Sequence, residues 1–264
     1  MENKVVVVTG STRGIGFGLA QAFLELGCAV TISGRSNPTV AGAARSLRAR
    51  FDGSRVFSLA CDVTDPAQVQ ALWDGAVGRF GRVDIWVNNA GWSGEAGMLW
   101  ERPPEEIASV IATNLLGTAY GARTAMRGML AQGFGAIYNM EGMGSDGRKH
   151  TGLTIYGTSK YAVHYLTESL ALDARGTPVL IGSLRPGMVI TGLITDRYKE
   201  HPEQLERARR IFNIIADTVE HVTPWLARRM LDNRKNGAVL AYTSTWKLLW
   251  RLVSQPFARR ELFP

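Results

Sequence analysis

Two side chains that could move a proton lie four residues apart, Tyr156 and Lys160. On a helix, residues at i and i+4 share one face, so the phenol and the ammonium would be neighbours. A nearby cation favours the phenolate, which makes proton exchange by the phenol easier. Reduction of a carbonyl needs such a donor beside the oxygen that gains charge when hydride reaches the carbon. Surface helices also contain this pair by chance, so the elements that position it have to be considered.

A glycine-rich turn near the start of the chain predicts a dinucleotide site. Residues 4–9 are mostly β-branched, as in a buried parallel strand, and residues 17–26 form an amphipathic run that predicts a helix. Glycines let the main chain approach a pyrophosphate, and a helix N-terminus offers free N–H groups. The spacing is G-x-x-x-G-x-G, and the alternative is a tight turn that binds nothing. The turn consists of Gly10, Ser11, Thr12, Arg13, Gly14, Ile15 and Gly16.

The end of the second predicted strand, Ala29–Gly34, favours NADP(H) over NAD(H). An NAD site commonly has an acidic residue there, which binds the ribose hydroxyls. This chain has Arg35 instead, and Arg35 with Arg13 could hold a 2′-phosphate by charge-assisted hydrogen bonds. The alternative is that Arg35 is a solvated loop charge.

Three further strand ends carry polar or small residues where open α/β sheets bind ligands. Asp62 and Val63 follow a predicted strand at 55–60, and Asp62 could accept from an adenine amino group or serve as a plain turn residue. A strand at 83–87 is followed by Asn88, Asn89, Ala90 and Gly91. After strands at 135–140 and 179–184 come the residues suited to one face of a nicotinamide ring, Pro186, Gly187, Val189 and Thr191.

One long helix is predicted at 103–133, because no proline or loop cluster interrupts it. Asn114 lies within it among apolar neighbours, and a buried amide needs hydrogen-bond partners. Its role is therefore that of a satisfied core residue or that of a bridge that positions water beside Lys160. A seventh strand is predicted at 237–242.

Composition narrows the function classes. The chain has 264 residues, 45% hydrophobic and 20% charged, as in an ordinary globular protein. Its net charge of +7 is not concentrated in one run, so an anionic cofactor and a basic C-terminal end account for it without nucleic acid. Cys28 and Cys61 are predicted to be buried reduced thiols, and the histidines lack ligand spacing, so no metal site is predicted. The chain begins without a signal-like segment and has no apolar run of about 18 residues, so a cytoplasmic location is expected.

The last quarter of the chain is predicted to cover the substrate. Residues 191–220 follow the nicotinamide turn and pass from a charged run to an apolar one, which suits a substrate lid or, equally, a pair of surface helices. Residues 244–264 form a basic, aromatic, amphipathic tail. Such a tail could make peripheral contact with a membrane, cover a subunit interface or line a hydrophobic substrate mouth.

In their order and spacing these motifs resemble the short-chain dehydrogenase/reductase family. The resemblance covers about residues 4–195 and rests on Thr9, Gly14-Ile15-Gly16, Asp62, Asn88-Asn89-Ala90-Gly91, Asn114, Tyr156, Lys160 and Pro186-Gly187. It implies an α/β fold in a single domain over 1–264: a doubly wound, parallel, seven-stranded Rossmann-like sheet, with its core at 4–190 and helices on both faces. It also implies a nicotinamide cofactor and a homo-dimer or homo-tetramer. Tyr156 would be the proton donor, Lys160 would bind the ribose, and Asn114 would join a proton relay.

The sequence departs from that family at one catalytic position. The family has a serine there that hydrogen-bonds the substrate oxygen, but counting back thirteen residues from Tyr156 reaches Met143, and one inserted residue gives Gly142. The nearest hydroxyl is Ser145. Either Ser145 takes the role through a reshaped loop, or the oxyanion relies on Tyr156 and backbone N–H groups. Loss of one such donor typically costs about 10²–10³ in rate.

Within the family, the loop at 139–148 resembles the chlorophyll(ide) b reductase branch, which shares Asn-Met-Asp/Glu-Gly-x-Gly-Ser there. That resemblance implies reduction, by NADPH, of a formyl group on a tetrapyrrole to hydroxymethyl, with a large apolar carbonyl compound as partner. The alternatives are a reductase of ketones, 3-oxoacyl compounds or steroids, and a nucleotide-binding regulatory protein that has lost catalysis.

Overall fold

The computed structural model describes residues 4–95, 97–192 and 212–243. Its centre is a parallel sheet of seven strands, and a separate pair of two-residue strands lies beside it. In chain order the strands are β1 (Val5–Val8), β2 (Ala29–Gly34), β3 (Val56–Ala60), β4 (Ile85–Asn88), β5 (Gly135–Met140), β6 (Val179–Arg185), β7 (Met188–Val189), β8 (Ala216–Asp217) and β9 (Ala238–Ala241). Most of the lid predicted at 191–220 and the whole tail predicted at 244–264 lie outside the described residues.

The order of the large sheet is β3-β2-β1-β4-β5-β6-β9, and every pairing in it is parallel. The chain winds outward from β1 to one edge and then from β4 to the other, so the order reverses between β1 and β4. Open α/β sheets bind ligands in the crevice outside such a reversal. The predicted doubly wound, seven-stranded fold is therefore confirmed.

Helices cover both faces of the sheet. They are α1 (Gly14–Glu25), α2 (Asn37–Arg48), α3 (Pro66–Phe80), α4 (Pro104–Ile111), α5 (Gly117–Gln132), α6 (Thr154–Asp173) and α7 (Val219–Asp232). No helix within the described ranges is long and apolar enough to cross a membrane.

Strand β1 shows why the chain needs four consecutive valines. Val6 and Val8 join a buried cluster with residues of α1, α2 and α7, whereas Val7 joins a second cluster with residues of α3, α5 and α6. Successive strand residues point to opposite faces, so a central strand covered on both sides has to be apolar throughout. Cys28 and Cys61 are buried free thiols within these two cores, as predicted.

The single helix predicted at 103–133 is wrong in one respect, because a π-helical turn at Ala112–Leu116 separates α4 from α5. Asn114 lies in that turn, and its side chain bonds the main chain of Trp92 and the hydroxyl of Ser159. Such turns are rare and frequently occur at functional sites. The sequence shows no proline or glycine cluster that would have marked it.

Candidate active site

A cavity of about 370 Å³ lies at the carboxyl ends of the strands, beside the reversal between β1 and β4. Nearly all the residues predicted to bind a cofactor line it, although they are widely separated in the sequence. They are Gly10, Thr12, Arg13, Gly14, Ile15, Gly16, Arg35, Asp62, Val63, Asn89, Ala90, Gly91, Tyr156, Lys160, Pro186, Gly187, Val189 and Thr191.

The glycine turn forms one wall of the cavity and has no room for side chains at Gly10 and Gly16. Gly10 has a φ of +60°, and a Cβ there would lie 2.7 Å from the Cα of Ala90. A Cβ on Gly16 would lie 2.5 Å from the carbonyl oxygen of Gly10 and would also overlap the amide of Asn89. Helix α1 begins at this turn without a side-chain cap and without an acid in its first turn. Its first N–H groups therefore suit an anion such as a pyrophosphate.

Asn89 and Thr9 hold the turn against the end of β4. The Asn89 amide donates to the carbonyl oxygens of Thr9 at 2.8 Å and Gly10 at 3.0 Å. The Thr9 hydroxyl accepts from the backbone N–H groups of Asn89 and Ala90. The amide that the sequence placed at this strand end thus fixes the shape of the glycine turn.

Ser11 needs a correction, because it is not among the described residues that line the cavity. It is fully buried, its hydroxyl donates to the carbonyl oxygen of Val8 at 2.6 Å, and it accepts from the N–H of Ser33 at 2.9 Å. Its own N–H donates to the carbonyl oxygen of Ser33. Ser11 therefore joins the ends of β1 and β2. Sequence reasoning assigned it to the cofactor only because it stands among the glycines.

Asp62 and the two arginines lie at the far end of the cavity. One carboxylate oxygen of Asp62 accepts from the N–H of Thr64 at 2.9 Å and from its hydroxyl at 2.8 Å, so Asp62 does shape a turn. It also lines the cavity, as do Arg13 and Arg35, whose side chains are exposed. The position of Asp62 is therefore compatible both with a role in the turn and with accepting a hydrogen bond from an adenine amino group.

Lys160 lies at the other end, buried on α6 with 4% of its surface exposed. Its ammonium donates to the carbonyl oxygen of Met140 at 3.0 Å. A Cβ on Gly91 would lie 3.4 Å from this nitrogen and 3.3 Å from Oδ1 of Asn114, so both polar groups face the same glycine. Burial lowers the pKa of Lys160 to about 8, although the negative charge of Glu141 opposes that shift.

Tyr156 precedes Lys160 by one turn of α6, and the ammonium lies 5.9 Å from the centre of its ring. The Tyr156 hydroxyl lies beside Gly142, where an added Cβ would overlap it and would lie 3.2 Å from Cζ. Gly142 is one of the two positions to which the serine count pointed. The structure therefore brings the phenol into the space that a side chain at this position would occupy.

Ser145, the predicted substitute for the missing serine, is buried and is not among the described residues that line the cavity. Its N–H donates to the carbonyl oxygen of Gly142 at 3.1 Å. A catalytic role for Ser145 stays a prediction.

Asn114 is fully buried and saturated with hydrogen bonds. Its Oδ1 accepts from the N–H of Trp92 at 2.8 Å, and its Nδ2 donates to the carbonyl oxygen of Trp92 and to the hydroxyl of Ser159, each at 2.8 Å. It thereby fixes the segment next to Gly91 in the cavity wall. These contacts fit the interpretation of Asn114 as a core residue whose hydrogen bonds are satisfied, and its part in a proton relay stays a prediction.

Sequence reasoning missed an apolar group at the end of the cavity that holds Tyr156. It comprises Trp92, Met143, Leu153 and Met188. Single apolar residues carry no local signal of a binding role, and these come from segments far apart in the chain, Met188 from β7 and the others from loops. Leu153 also lines a small second pocket together with Leu99. Trp100, which follows Leu99 in the sequence, is 82% exposed.

A cavity with a glycine turn at one end and, at the other, a tyrosine one helical turn before a buried lysine defines an α/β oxidoreductase site for a dinucleotide. The family model described as "short chain dehydrogenase" matches residues 4–202, and the chain belongs to that family.

Curated relatives include plant and bacterial enzymes. A probable chloroplastic chlorophyll(ide) b reductase of Arabidopsis thaliana is 32% identical over 98% of this chain and 54% of its own length. A second chloroplastic chlorophyll(ide) b reductase from that plant is 36% identical over 84% of this chain and 63% of its own length. The chain therefore spans less than two thirds of both plant proteins. A 3alpha-hydroxysteroid dehydrogenase of Mediterraneibacter gnavus is 34% identical over 74% of this chain and 77% of its own length.

Two solved structures show the same fold with different cofactors. An actinorhodin polyketide ketoreductase variant with NADPH has a TM-score of 0.81 and 25% identity, covering 91% of this chain and 96% of its own. A short-chain dehydrogenase/reductase from Burkholderia phymatum in complex with NAD has a TM-score of 0.79 and 29% identity, covering 99% and 97%. These structures support a nicotinamide dinucleotide cofactor without distinguishing its two forms.

Proposed function

We propose that this chain is an NADP(H)-dependent carbonyl reductase whose substrate is a formyl group on a chlorophyll(ide) b-like tetrapyrrole, reduced to hydroxymethyl. The observation that carries the proposal is the pair of half-buried Tyr156 and buried Lys160, which lies in one cavity with a glycine turn whose Gly10 and Gly16 are packed too closely for side chains. The similarity to the plant reductases supports the choice of substrate.

The residues present fit a nicotinamide dinucleotide. The uncapped start of α1 and the close-packed glycines Gly10 and Gly16 would hold its pyrophosphate. Lys160 would bind the ribose near the nicotinamide, and Pro186-Gly187 would support the ring. When bound, the nicotinamide supplies hydride to a carbonyl carbon.

Tyr156 would donate the proton that the carbonyl oxygen needs. Its hydroxyl faces the cavity beside Gly142, and Lys160 follows one helical turn later. The ammonium favours the phenolate that remains after donation, which lowers the cost of the transfer. Because Gly142 has no side chain, Tyr156 and nearby backbone N–H groups would stabilise the developing oxyanion without a serine.

We favour the phosphorylated cofactor because of the charges at the adenosine end. Gly34, at the end of β2, lies against Thr12, and two exposed arginines, Arg13 and Arg35, line the cavity. Guanidinium groups bind phosphate by charge-assisted hydrogen bonds, and the sequence offers no carboxylate directly after β2 for ribose hydroxyls.

A large, flat, apolar substrate fits the opposite end. Trp92, Met143, Leu153 and Met188 line the cavity there. The cavity of about 370 Å³ is too small to enclose a dinucleotide and a tetrapyrrole together. The proposal therefore places only the formyl group inside, with the rest of the macrocycle against the mouth. The sulfur and indole groups there are polarisable and suit contact with a π-system.

A homo-dimer or homo-tetramer is part of the proposal. On the outer face of α6, Tyr161, Tyr165 and Leu172 are 55%, 70% and 55% exposed. Exposed apolar groups on one helix are typical of a surface that another subunit covers. Size-exclusion chromatography with light scattering tests this directly, and a monomer at micromolar concentration would contradict it.

The test of function is incubation of the protein and NADPH with chlorophyllide b, followed by chromatography of the pigments. We expect the 7-hydroxymethyl product and matching loss of NADPH absorbance. The same assay with a panel of ketones, 3-oxoacyl thioesters and 3-oxosteroids examines the alternatives. Turnover of a steroid but not of the pigment would favour a reductase like the bacterial relative. No turnover of any carbonyl would favour a nucleotide-binding protein that has lost catalysis.

A further inference from the structure

A buried carboxylate, Glu141, directly precedes Gly142, which lies against the hydroxyl of the proposed proton donor Tyr156, and it has no part in the proposed reaction. It is the first residue after β5, its side chain is 0% exposed, and it lines the cavity. An ionised carboxylate is costly to bury unless it is paired and hydrogen-bonded. Its partners therefore indicate what holds it there.

Two side chains bind this carboxylate. Nε of Arg185 donates to Oε2 at 2.5 Å, and Nδ1 of His164 lies 3.0 Å from Oε1. Burial alone would raise the pKa of Glu141, but the bonds from Arg185 and His164 hold it below its usual value. Glu141 is therefore a carboxylate at neutral pH.

The two charged partners come from the other elements that carry the site. Arg185 ends β6 and directly precedes the Pro186-Gly187 turn in the cavity wall. His164 lies on α6, one turn after Lys160. The carboxylate of Glu141 thus joins the end of β5, the catalytic helix and the nicotinamide turn.

The residues on either side of Glu141 contact both proposed catalytic groups. The carbonyl oxygen of Met140 accepts from the ammonium of Lys160 at 3.0 Å, and Gly142 lies against the hydroxyl of Tyr156. The N–H of Glu141 donates to the carbonyl oxygen of Leu184, so the main chain here is still paired to β6. A displacement of residue 141 would therefore move the acceptor of Lys160 and the neighbour of Tyr156 together.

We propose that Glu141 is a positioning residue: its carboxylate, held by Arg185 and His164, fixes segment 140–142 and with it the ammonium of Lys160 and the hydroxyl of Tyr156. The proposal rests on the proposed function, since it assumes that this pair carries out the chemistry. A buried ion pair by itself often adds little stability, so a geometric role suits it better.

The test of this proposal uses the titratable groups around Glu141. Lys160 and Tyr156 both lie on α6, and the negative charge of Glu141 acts on the ammonium of Lys160. Through Nε2 of His164, Glu141 is also linked to Glu168, which lies 3.5 Å from that nitrogen and is 66% exposed. Glu168 is thus a matched control carboxylate on the same network, outside the cavity.

The experiment is an NMR titration of lysine ¹³Cε signals in the unliganded protein, with Lys160 assigned by its absence from Lys160→Met. Glu141→Gln removes the carboxylate that opposes the burial shift, so we expect the titration midpoint of Lys160 to fall by about one pH unit. Glu168→Gln should leave the midpoint unchanged. This measurement does not depend on any substrate, so it stays informative if the proposed function fails.

Kinetics then separate positioning from simple structural support. Glu141→Gln should lower kcat for carbonyl reduction about tenfold while the KM for NADPH changes less, and Glu141→Asp should recover part of the loss. If Glu141→Gln folds poorly, Glu141→Gln/Arg185→Gln leaves no unpaired Arg185 charge, and its kcat should still fall about tenfold because the support of segment 140–142 is lost. An unchanged Lys160 midpoint in Glu141→Gln, or a kcat in either variant equal to that of Glu168→Gln, would overturn the proposal.

Discussion

The two ends of the cavity differ in how they are built. At the end formed by β1 to β4, the cofactor end, backbone atoms of the glycine turn and hydrogen-bonding side chains such as Asn89 line the wall. The other end is formed by β5, β6 and α6 and is called the substrate end. Its wall contains Glu141, Gly142 and Met143 where the family usually has a serine hydroxyl. A site that holds a common cofactor has little freedom, whereas one that holds a particular substrate is shaped by that substrate.

The difference also appears in how close packing is used. A side chain at position 16 is excluded by Gly10 and Asn89, whereas a side chain at position 142 is excluded by Tyr156. In the proposed function, the first constraint preserves the cofactor site and the second preserves the position of the proton donor. Variants of Gly16 and Gly142 therefore test the two ends separately. The largest effect is expected for a residue that contributes to both ends.

Lys160 contributes to both ends, so its replacement should have the largest effect. Lys160→Met should lower kcat about 10²–10⁴-fold, because the cation beside the phenol is lost. It should also weaken NADPH binding, since the ammonium would bind the ribose. Steady-state kinetics and NADPH fluorescence titration measure the two effects, with exposed Lys149→Met as the control.

The pH dependence of binding sharpens this prediction. The pKa of Lys160 is lowered to about 8, so its charge is present below that pH and is lost as the pH rises through it. The affinity for NADPH should therefore fall above about pH 8 in the wild type. Lys160→Met should remove this fall, and an identical pH profile in both proteins would contradict the role of the ammonium.

At the cofactor end, Gly16→Ala should weaken NADPH binding about 100-fold, as expected for an overpacked site. The added methyl would lie 2.5 Å from the carbonyl oxygen of Gly10 and would displace the glycine turn. Isothermal titration calorimetry measures the loss. Gly42→Ala, on α2 with nothing within 4 Å of its Cβ position, is the matched control and should bind normally.

At the substrate end, Gly142→Ser restores a hydroxyl near the position where the family has one, yet it should lower kcat about tenfold. Its Cβ would overlap the Tyr156 hydroxyl and displace the proton donor. Gly157→Ala, the next helical residue after Tyr156, has its nearest atom at 4.0 Å and should leave kcat unchanged. A gain in activity for Gly142→Ser would mean that the tyrosine can move to accommodate a serine.

The smallest effect is expected at the exposed adenosine end. Arg35→Ala should raise the KM for NADPH about fivefold, because an exposed charge pair contributes at most about 1 kcal/mol. The KM for NADH should stay the same, so the preference between the two cofactors should shrink. Arg45→Ala, an exposed arginine of α2 outside the cavity, serves as the control. An equal change for both cofactors would argue against a 2′-phosphate site.

The sequence predicted the cofactor end well because its signals are local. A run such as Val5–Val8 followed by closely spaced glycines determines strand, turn and helix together, and the strand ends then fall at one edge of the sheet. Even there, Ser11 was assigned wrongly, since no local pattern shows that its hydroxyl faces Val8 and Ser33.

The substrate end was less predictable because its contacts are distant in the chain. The hydrogen bonds of Asn114 to Trp92, and the π-helical turn around it, depend on a loop 22 residues away. The partners of Glu141 come from positions 23 and 44 residues further on. Counting from Tyr156 did reach Gly142, but only the packing shows that the phenol itself fills the adjacent space.

The most direct test of the account compares Tyr156→Phe with the wild type in one experiment that measures NADPH affinity and turnover of chlorophyllide b. The matched control is Tyr165→Phe, a tyrosine on the outer face of the same helix that does not line the cavity. We predict an unchanged NADPH affinity for Tyr156→Phe and a turnover about 10²–10⁴-fold lower than in the wild type and in the control. Full turnover in Tyr156→Phe would contradict the assignment of the phenol as proton donor.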